Sequence, residues 1–384
     1  MERSEIIEKE TDVHSDSPIR VSVIMPVYNA VEYLAEAIDN VLRQTLSDIE
    51  IICVDDGSTD GSFEVIKKKQ AEDSRIRIVT ENNAGPSVAR NKGLARARGE
   101  YVIFLDADDF FEPTLLERLY TLSVKRNLDM AIAKYDLYNN ATGKFSPKME
   151  SDNQGLFDGG SVISKSEHPT KIFQSTTGYV WNKLFKRSFL AEKGLVFPAD
   201  LYVFEDVYFV CAALSLAESV GKVSKILVHH RIYSEQSRAK LFRKYYAQVP
   251  VVYEKLLEFL MHDGMYLPLK NSFLNLSASR CYKIYNLLWE EAKGEFYTMY
   301  HNTYAEKFGW ANASPEEFES RDVRDFVAGV LMYSHEQYLD RIEKGLPIKP
   351  EKAAAKVKSK RKRDRVKDFF GRIFGKNKKH SEKI

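Results

Sequence analysis

Short apolar segments alternate with amphipathic segments over the first third of the chain. Val21–Val27 is an apolar, β-branched run, and Val31–Leu42 follows it with apolar residues spaced along one face of a helix. The alternation is then repeated, with apolar runs at 49–54, 76–79 and 101–105 and helical stretches at 61–71, at 86–97 and after Pro113. Continuous apolar strands joined by helices predict right-handed βαβ units and a parallel sheet that is covered on both faces.

Polar clusters stand at the carboxyl ends of the predicted strands. Tyr28-Asn29, Asp55-Asp56 and Asp106–Asp109 each come directly after an apolar run. In open parallel sheets, ligands bind beyond the carboxyl ends of the strands. We therefore expect these three clusters to belong to one binding site.

The pattern changes after the predicted sheet. Gly, Ser, Asn and Asp accumulate from about Tyr135 to Thr177, which predicts an exposed loop region, whereas residues 180–189, 203–217 and 223–228 are typical of ordered structure. Beyond Leu241 the spacing of apolar residues predicts long helices at 245–262, 272–291 and 321–342.

Composition indicates a soluble globular protein. Of 384 residues, 44% are hydrophobic and 29% are charged, and no apolar run approaches the 18 residues of a transmembrane helix. The amino terminus is too charged for a secretory signal. Cys53, Cys211 and Cys281 are scattered, which argues against a disulfide scaffold or a thiolate zinc site and favours a reducing cytoplasm.

The small net charge of +2 conceals an acidic body and a basic tail. Residues 351–384 hold 14 Lys and Arg against 4 Asp and Glu, which leaves 43 basic and 51 acidic residues in the first 350. The tail also carries an apolar stripe at helical spacing, formed by Val366, Phe369, Phe370, Ile373 and Phe374. A basic amphipathic helix of this kind predicts attachment to an anionic membrane surface. A disordered solubilising tail or a nucleic-acid contact is the alternative, although the acidic body argues against a nucleic-acid-binding protein.

Asp106-Ala107-Asp108 is a candidate metal motif. Residues two apart in an extended segment point the same way, so both carboxylates can face one cation. Carboxylate oxygens without a nearby His-Cys cluster suit Mg²⁺ or Mn²⁺. The alternative is a solvated loop that caps the next helix. The region has no Gly-rich phosphate loop, which disfavours dinucleotide and P-loop chemistry.

Several segments together resemble the nucleotide-sugar domain of family 2 glycosyltransferases. They are VSVIMPVYN (21–29), QT (44–45), VDDGSTDGS (54–62), NNAGPSVARNKG (82–93) and DADD (106–109). The resemblance is dense from Val21 to about Leu122. It continues more thinly at residues 181–185, 205–206 and 229–231, and it is absent after Leu241.

The resemblance implies an inverting enzyme with the GT-A fold: an α/β, Rossmann-like, mostly parallel sheet flanked by helices. A helical C-terminal region and the basic amphipathic tail would follow this sheet. The domains expected are a flexible leader (1–18), a catalytic domain (19–240), a helical region (241–345) and a linker with the tail (346–384). Within the catalytic domain, residues 19–122 would bind the nucleotide sugar and residues 123–240 would form the acceptor half.

Donor and metal contacts carry over from the resemblance by position. It implies that Pro26, Tyr28 and Asp56 border the nucleobase, with Asp56 accepting a hydrogen bond from the uracil imide. Arg90 would approach the base or the ribose. The donor-binding residues are thus Pro26, Tyr28, Asp56, Arg90 and Asp106, and the metal motif is Asp106 and Asp108, with Asp108 as the direct ligand. His230 is a further candidate metal ligand or diphosphate contact, with a structural or surface position as the alternative.

The catalytic residues implied by the resemblance are Asp206, as the general base, and its neighbour Glu205. Without the resemblance, this pair of acids would be a favourable helix N-terminus. Trp181, Asn182 and Lys183 are candidate acceptor contacts, while a wall or core position is the alternative for Trp181. Arg231 or Arg238 could pair with phosphate oxygens, with a structural or surface position as the alternative.

The function expected is that of a metal-dependent (Mn²⁺ or Mg²⁺) inverting glycosyltransferase, a hexosyl- or N-acetylhexosaminyltransferase. It would move a sugar from a nucleotide donor, expected to be a UDP-sugar, to a hydroxyl of a glycan or lipid-linked acceptor. The expected role is in surface polysaccharide or glycoconjugate synthesis. The expected location is cytoplasmic, peripheral on the inner face of the plasma membrane. The alternatives are a sugar nucleotidyltransferase and a non-catalytic nucleotide-sugar-binding or scaffold protein.

Overall fold

A computed structural model of the chain describes residues 18–146, 156–157, 160–232 and 244–348. The described strands are β1 (Val21–Val27), β2 (Ile49–Asp55), β3 (Ile76–Thr80), β4 (Tyr101–Phe104), β5 (Phe110–Phe111), β6 (Met130–Asn139), β7 (Lys144–Ser146), β8 (Lys183–Lys186) and β9 (Val220–Ile232). The first six helices are α1 (Val31–Leu42), α2 (Ser62–Glu72), α3 (Pro86–Arg96), α4 (Leu115–Arg126), α5 (Arg187–Glu192) and α6 (Glu205–Leu216).

The first four strands form the parallel half of the sheet, in the order β3-β2-β1-β4. Val21 of β1 is paired with Ile49 of β2 on one side and with Tyr101 of β4 on the other. All seven residues of β2 are buried, as expected for a strand covered by helices on both faces. The predicted alternation of strands and helices is confirmed here, with bounds that differ by at most two residues.

The remaining strands form the mixed half, in the order β8-β6-β9-β5, with β7 pairing to β6. The half begins where β8 pairs antiparallel to β4, and β6 runs parallel to β9. The α/β fold with a mostly parallel sheet and a helical C-terminal region is therefore confirmed.

The prediction of an exposed loop region from about Tyr135 to Thr177 is wrong in part. Tyr135 lies in β6 and is buried, and Ile172 and Phe173 are buried in a short 3₁₀ turn. The physical reason is that β6 lies between β8 and β9, where neighbouring strands rather than local periodicity decide its conformation.

Helices follow the sheet, as predicted. Longer helices lie at Val249–His262, Tyr266–Leu287, Glu290–Met299, Arg321–Met332 and His335–Glu343, with a π-helical turn at Tyr300–Tyr304, a short helix at Ala305–Lys307, and 3₁₀ turns at Tyr246–Gln248, Trp310–Asn312 and Pro315–Glu317. The single helix predicted over 321–342 is wrong, because Ser334 starts a new helix there. Its side chain and that of Gln337 form a capping box, in which each accepts the other's backbone N–H.

The described residues group into two compact units, one ending at Ala292 and the other beginning at Lys293. The helix Val249–His262 packs against α6 and belongs to the first unit. The predicted domain bounds at residues 18, 122, 240 and 345 stay predictions. The leader, most of the tail segment from 346 onwards, and Arg238 lie outside the described residues. Within the described part of the chain, each helix is too short or too polar to cross a bilayer.

Candidate active site

A cavity of about 440 Å³ opens where β1, β2 and β4 end. Six residues singled out from the sequence line it together: Pro26, Tyr28, Asp56, Arg90, Asp106 and Asp108. Tyr33 and Asn83 also line it, although neither is among the predicted site residues. Residues of all three polar clusters therefore lie at one cavity, while the binding tasks expected of them stay predictions.

The loops that follow β1 and β2 are tied to each other. The backbone N–H of Thr59 donates to the Asn29 side chain over 2.8 Å, and that of Val31 donates to the Asp60 carboxylate over 3.0 Å. Asn29 adopts a left-handed backbone with φ of 49°, a conformation that Asn tolerates better than most residues. The Asp-Gly-Ser-Thr-Asp segment thus builds a rigid rim for the cavity.

Asp56 is held in place by two backbone amides. Its oxygens accept hydrogen bonds from the N–H groups of Ala84, over 2.7 Å, and Gly85, over 2.8 Å. Gly85 has φ of +91°, which L side chains rarely adopt, so this loop depends on glycine. Each carboxylate oxygen can accept a further bond, which leaves Asp56 able to receive a ligand N–H. Across the rim, the half-exposed Tyr28 accepts a bond from Asn83.

Three carboxylates converge in the loop that follows β4. The ligand atoms of Asp106, Asp108 and Asp109 lie within 4.8 Å of one another. Sequence reasoning gave Asp109 no task, although it directly follows the other two. Burial raises the pKa of the Asp109 carboxyl, while the neighbouring His230 opposes that shift. This set of oxygen ligands fits a hard divalent cation such as Mg²⁺ or Mn²⁺.

His230 contacts this group through Asp109. Its Nδ1 lies 3.0 Å from both Asp109 oxygens, and its ring stacks on Trp181 with centroids 4.9 Å apart. Burial lowers the pKa of His230, but the charges of Asp109, Asp106 and Asp108 raise it more, so the pKa lies above its ordinary value. Direct metal ligation by His230 stays a prediction.

Arg90 joins the carboxylate cluster to helix α6. One guanidinium nitrogen donates to Glu205 over 2.8 Å and another donates to Asp106 over 3.2 Å. The guanidinium carbon lies 5.4 Å from the centre of the Phe197 ring. Among the described residues, the Nε of Arg90 is buried and has no hydrogen-bond partner.

Glu205 and Asp206 form the first turn of α6. The residue before them, Phe204, has φ of 59°, a strained conformation for a large side chain that points to a constrained helix start. Burial and the neighbouring charge of Glu205 raise the pKa of Asp206 to about 7, while Arg90 opposes the shift. Because a general base works best with a pKa near the operating pH, this environment suits Asp206 to accept a proton.

The predicted acceptor contacts are buried. Trp181 is enclosed between other rings, and Asn182 and Lys183 are fully buried. The Asn182 amide donates to the carbonyl of Ala133 over 2.7 Å, and the Lys183 ammonium donates to Asn182 and to the carbonyl of Tyr179. These bonds fasten β8 to β6 and to the preceding turn. The acceptor assignment stays a prediction that gains no support from these contacts.

The site therefore offers convergent oxygen ligands that suit a cation bound to phosphate. Asp206 is not among the residues that line the cavity, but the charges of Arg90 and Asp106 act on it, and its pKa of about 7 suits proton abstraction at neutral pH. Arg90 spans the two through its bonds to Asp106 and Glu205.

Comparisons with known proteins indicate the family. Residues 22–192 match the family model described as glycosyl transferase family 2. The chain is 31% identical over 268 residues to the putative glycosyltransferase EpsH of Bacillus subtilis, a match covering 68% of this chain and 76% of EpsH. It is 34% identical over 215 residues to the glycosyltransferase GlyA of Streptococcus pneumoniae, which covers 56% of this chain but only 30% of GlyA.

A solved structure shares the fold. The crystal structure of residues 1–349 of S. aureus TarS, in complex with UDP-GlcNAc, matches with a TM-score of 0.63 at 19% identity. The match covers 85% of this chain and 92% of that one. At this identity it bears on the fold alone, and it supports the GT-A assignment. With the family model and the coverage of EpsH, it leads to one conclusion: the chain belongs to glycosyltransferase family 2.

Proposed function

We propose that the protein is a metal-dependent, inverting glycosyltransferase that uses a UDP-sugar and transfers a hexosyl or N-acetylhexosaminyl group to a hydroxyl. The observation that carries the proposal is the position of Arg90, which contacts both the carboxylate cluster through Asp106 and the helix of Asp206 through Glu205. Arg90 thereby links the carboxylates proposed to hold the metal ion to the helix that carries the proposed general base. The UDP-GlcNAc bound to TarS supports a UDP-linked donor.

In the proposed reaction, the acceptor oxygen attacks the anomeric carbon as its proton passes to Asp206. The bond from that carbon to the β-phosphate oxygen breaks, UDP leaves, and the anomeric centre inverts in one step. Asp106, Asp108 and Asp109 would hold a divalent ion that supplies Lewis-acid stabilisation of the diphosphate charge. Tyr28 and Asp56 would hold the nucleobase, since Asp56 keeps acceptor capacity beyond its two backbone bonds.

A coupled assay tests this function. Purified protein is incubated with a panel of UDP- and GDP-sugars, with candidate acceptors, and with either Mn²⁺ or EDTA, and nucleoside diphosphate release is measured. We expect UDP release that requires both acceptor and metal. Binding of UDP-sugars without turnover under every condition would favour a non-catalytic binding protein, and pyrophosphate exchange would favour a nucleotidyltransferase.

The acceptor that we propose is a growing glycan or a lipid-linked sugar, in surface polysaccharide or glycoconjugate synthesis. Membrane attachment through the tail would bring the enzyme to a lipid-linked acceptor at the inner face of the plasma membrane. The 14 Lys and Arg of residues 351–384 support this, since each cation near an anionic surface contributes about 1 kcal/mol.

Vesicle flotation tests the attachment. We expect the full chain to float with anionic vesicles and to be released by salt, while a chain truncated after Pro350 stays in solution. Neutral vesicles are the control for hydrophobic insertion alone. Equal flotation by the truncated chain would rule the tail out as the attachment site.

A further inference from the structure

We propose that Arg231 is a positioning residue, which holds the metal loop (residues 106–109) against helix α1 so that the carboxylates can take up a cation. The inference rests on the metal-dependent function proposed above. It departs from phosphate pairing, the task that sequence reasoning offered for Arg231, because the side chain is buried among protein groups.

The guanidinium of Arg231 bonds three separate segments of the chain. Its Nε donates to the backbone carbonyl of Asp108 over 2.8 Å, and one terminal nitrogen donates to Glu36 of α1 over 3.0 Å. The other terminal nitrogen donates to the Asn140 side chain, just beyond β6, over 2.8 Å. The loop, the helix and the strand end are thus fastened to one planar group.

Aromatic rings enclose the same guanidinium. Its carbon lies 4.3 Å from the ring centre of Tyr33, 5.2 Å from that of Phe110 and 5.4 Å from that of Tyr138. Tyr33 lines the cavity, and its hydroxyl accepts a bond from Asn140. Arg231 therefore supports the cavity wall at Tyr33 as well as the loop.

The backbone of Arg231 adds a second attachment to the metal loop. Its N–H donates to the Asp109 carboxylate over 2.8 Å, next to the bond from His230. One residue thus holds two consecutive positions of the loop: Asp108 through its carbonyl and Asp109 through its side chain. Carboxylates this close repel one another before a cation binds, so a fixed backbone lowers the cost of gathering them.

Lysine cannot reproduce this arrangement. Its ammonium is a compact point charge, whereas the three contacts to Asp108, Glu36 and Asn140 diverge from a planar fork. Arg231→Lys therefore keeps the charge and removes the geometry. Arg75→Lys is the matched control, since Arg75 also pairs with a carboxylate, that of Asp73, and donates to a backbone carbonyl, but it lies outside the cavity lining.

The experiment measures Mn²⁺ binding directly, by electron paramagnetic resonance titration in the presence of UDP. We expect Arg231→Lys to weaken Mn²⁺ binding by roughly 10–100-fold, the usual effect of losing a residue that orients metal ligands. UDP binding in EDTA should stay unchanged, because the proposed nucleobase wall, formed by Tyr28 and Asp56, is held by bonds to Asn83, Ala84 and Gly85 and not by Arg231. Arg75→Lys should bind Mn²⁺ like the wild type, and thermal melting checks that each variant is folded.

Each outcome discriminates. A wild-type protein that binds no Mn²⁺ with UDP would contradict the metal-dependent function itself. Wild-type affinity in a folded Arg231→Lys would overturn the positioning role alone. If Arg231→Lys does not fold, Asn140→Ala decides, because it removes one contact of the guanidinium and one of Tyr33. We expect a smaller loss of Mn²⁺ affinity there, and an unchanged affinity would overturn the inference.

Discussion

The two halves of the sheet fix their polar residues in different ways. In the parallel half, Asp56 is held by backbone amides of the next loop, so its position follows from the strand order. In the mixed half, Glu205 is held by Arg90, which lies 115 residues earlier in the chain, and Arg231 is held by Glu36, 195 residues earlier. The mixed half thus takes its geometry from side chains that the parallel half supplies.

This difference separates two kinds of dependence. Ligand binding at the nucleobase wall should survive changes in the mixed half, since its bonds are made within the parallel half. By contrast, the position of the proposed general base, Asp206, should be disturbed by changes in Arg90 or Glu205.

Asp108→Asn should reduce transfer to background while the fold remains intact. The change removes a charged ligand where the diphosphate charge develops, and a Lewis acid there supplies several kcal/mol, a factor of more than about 10³ in rate. Steady-state transfer and Mn²⁺ titration measure it, with Asp48→Asn as the control, since Asp48 pairs with Arg20 away from the cavity lining. Full activity in Asp108→Asn, or in EDTA, would contradict the metal assignment.

Asp206→Asn should lower kcat by roughly 10²–10⁴-fold, the range of a general base, and leave UDP and Mn²⁺ affinity unchanged. This substitution tests the mixed half alone, because the groups that we propose to bind UDP and Mn²⁺ lie in the parallel half or on the loop after β4. Asp200→Asn is the control, since Asp200 lies in the segment before α6 and pairs with Lys255. A loss of donor affinity with normal kcat would make Asp206 a binding residue instead.

The ease of sequence prediction follows the same division. The parallel half is predicted almost residue by residue, because β1, β2 and β4 are buried apolar runs and α1 has its own apolar face. β6 was missed because its conformation depends on β8 and β9, and no local pattern records those neighbours. The break at Ser334 was missed although Ser334 and Gln337 have the spacing of a capping box.

The candidate site divides likewise. The lining residues that directly follow β1, β2 and β4 could be anticipated, because parallel topology brings the carboxyl ends of these strands to one edge. The bond between Arg90 and Glu205 could not, since no spacing relates positions in different segments. Asn182 and Lys183 are the opposite case. Their motif predicts contacts to the acceptor, but both side chains are buried and donate hydrogen bonds to backbone carbonyls of the sheet and the preceding turn.

Glu205→Gln should shift the pH profile and lower kcat about tenfold, the equivalent of one charge-assisted hydrogen bond. Burial and Glu205 raise the pKa of Asp206 to about 7, so in the wild type kcat/KM should rise with pH and level off above that value. Removing the charge of Glu205 lowers the pKa of Asp206, and the rise should then occur at lower pH. An unshifted profile would show that Asp206 does not control it.

Gly178→Ala should have the smallest effect on turnover. It tests whether a displacement of α6, without any change in Asp206 or Glu205, is enough to lower kcat. An added Cβ at Gly178 would lie 2.6 Å from the Val207 side chain and 3.0 Å from its Cα, directly beside Asp206. Because Val207 belongs to α6, either the helix start or the segment of Gly178 must shift, at a cost of about 1–3 kcal/mol in unfolding free energy. The kcat should fall less than in Glu205→Gln, with UDP affinity unchanged.

The control for that substitution is Gly294→Ala. Gly294 lies within the helix Glu290–Met299, where an added Cβ meets only the His335 ring, at 3.4 Å. Alanine has the higher helix propensity, so this variant should be as stable as the wild type or slightly more stable. Denaturant unfolding compares the two variants, and kcat is measured on the same preparations. If Gly178→Ala lowered UDP affinity as strongly as kcat, the nucleobase wall would depend on the mixed half, and the separation of the two halves would be wrong.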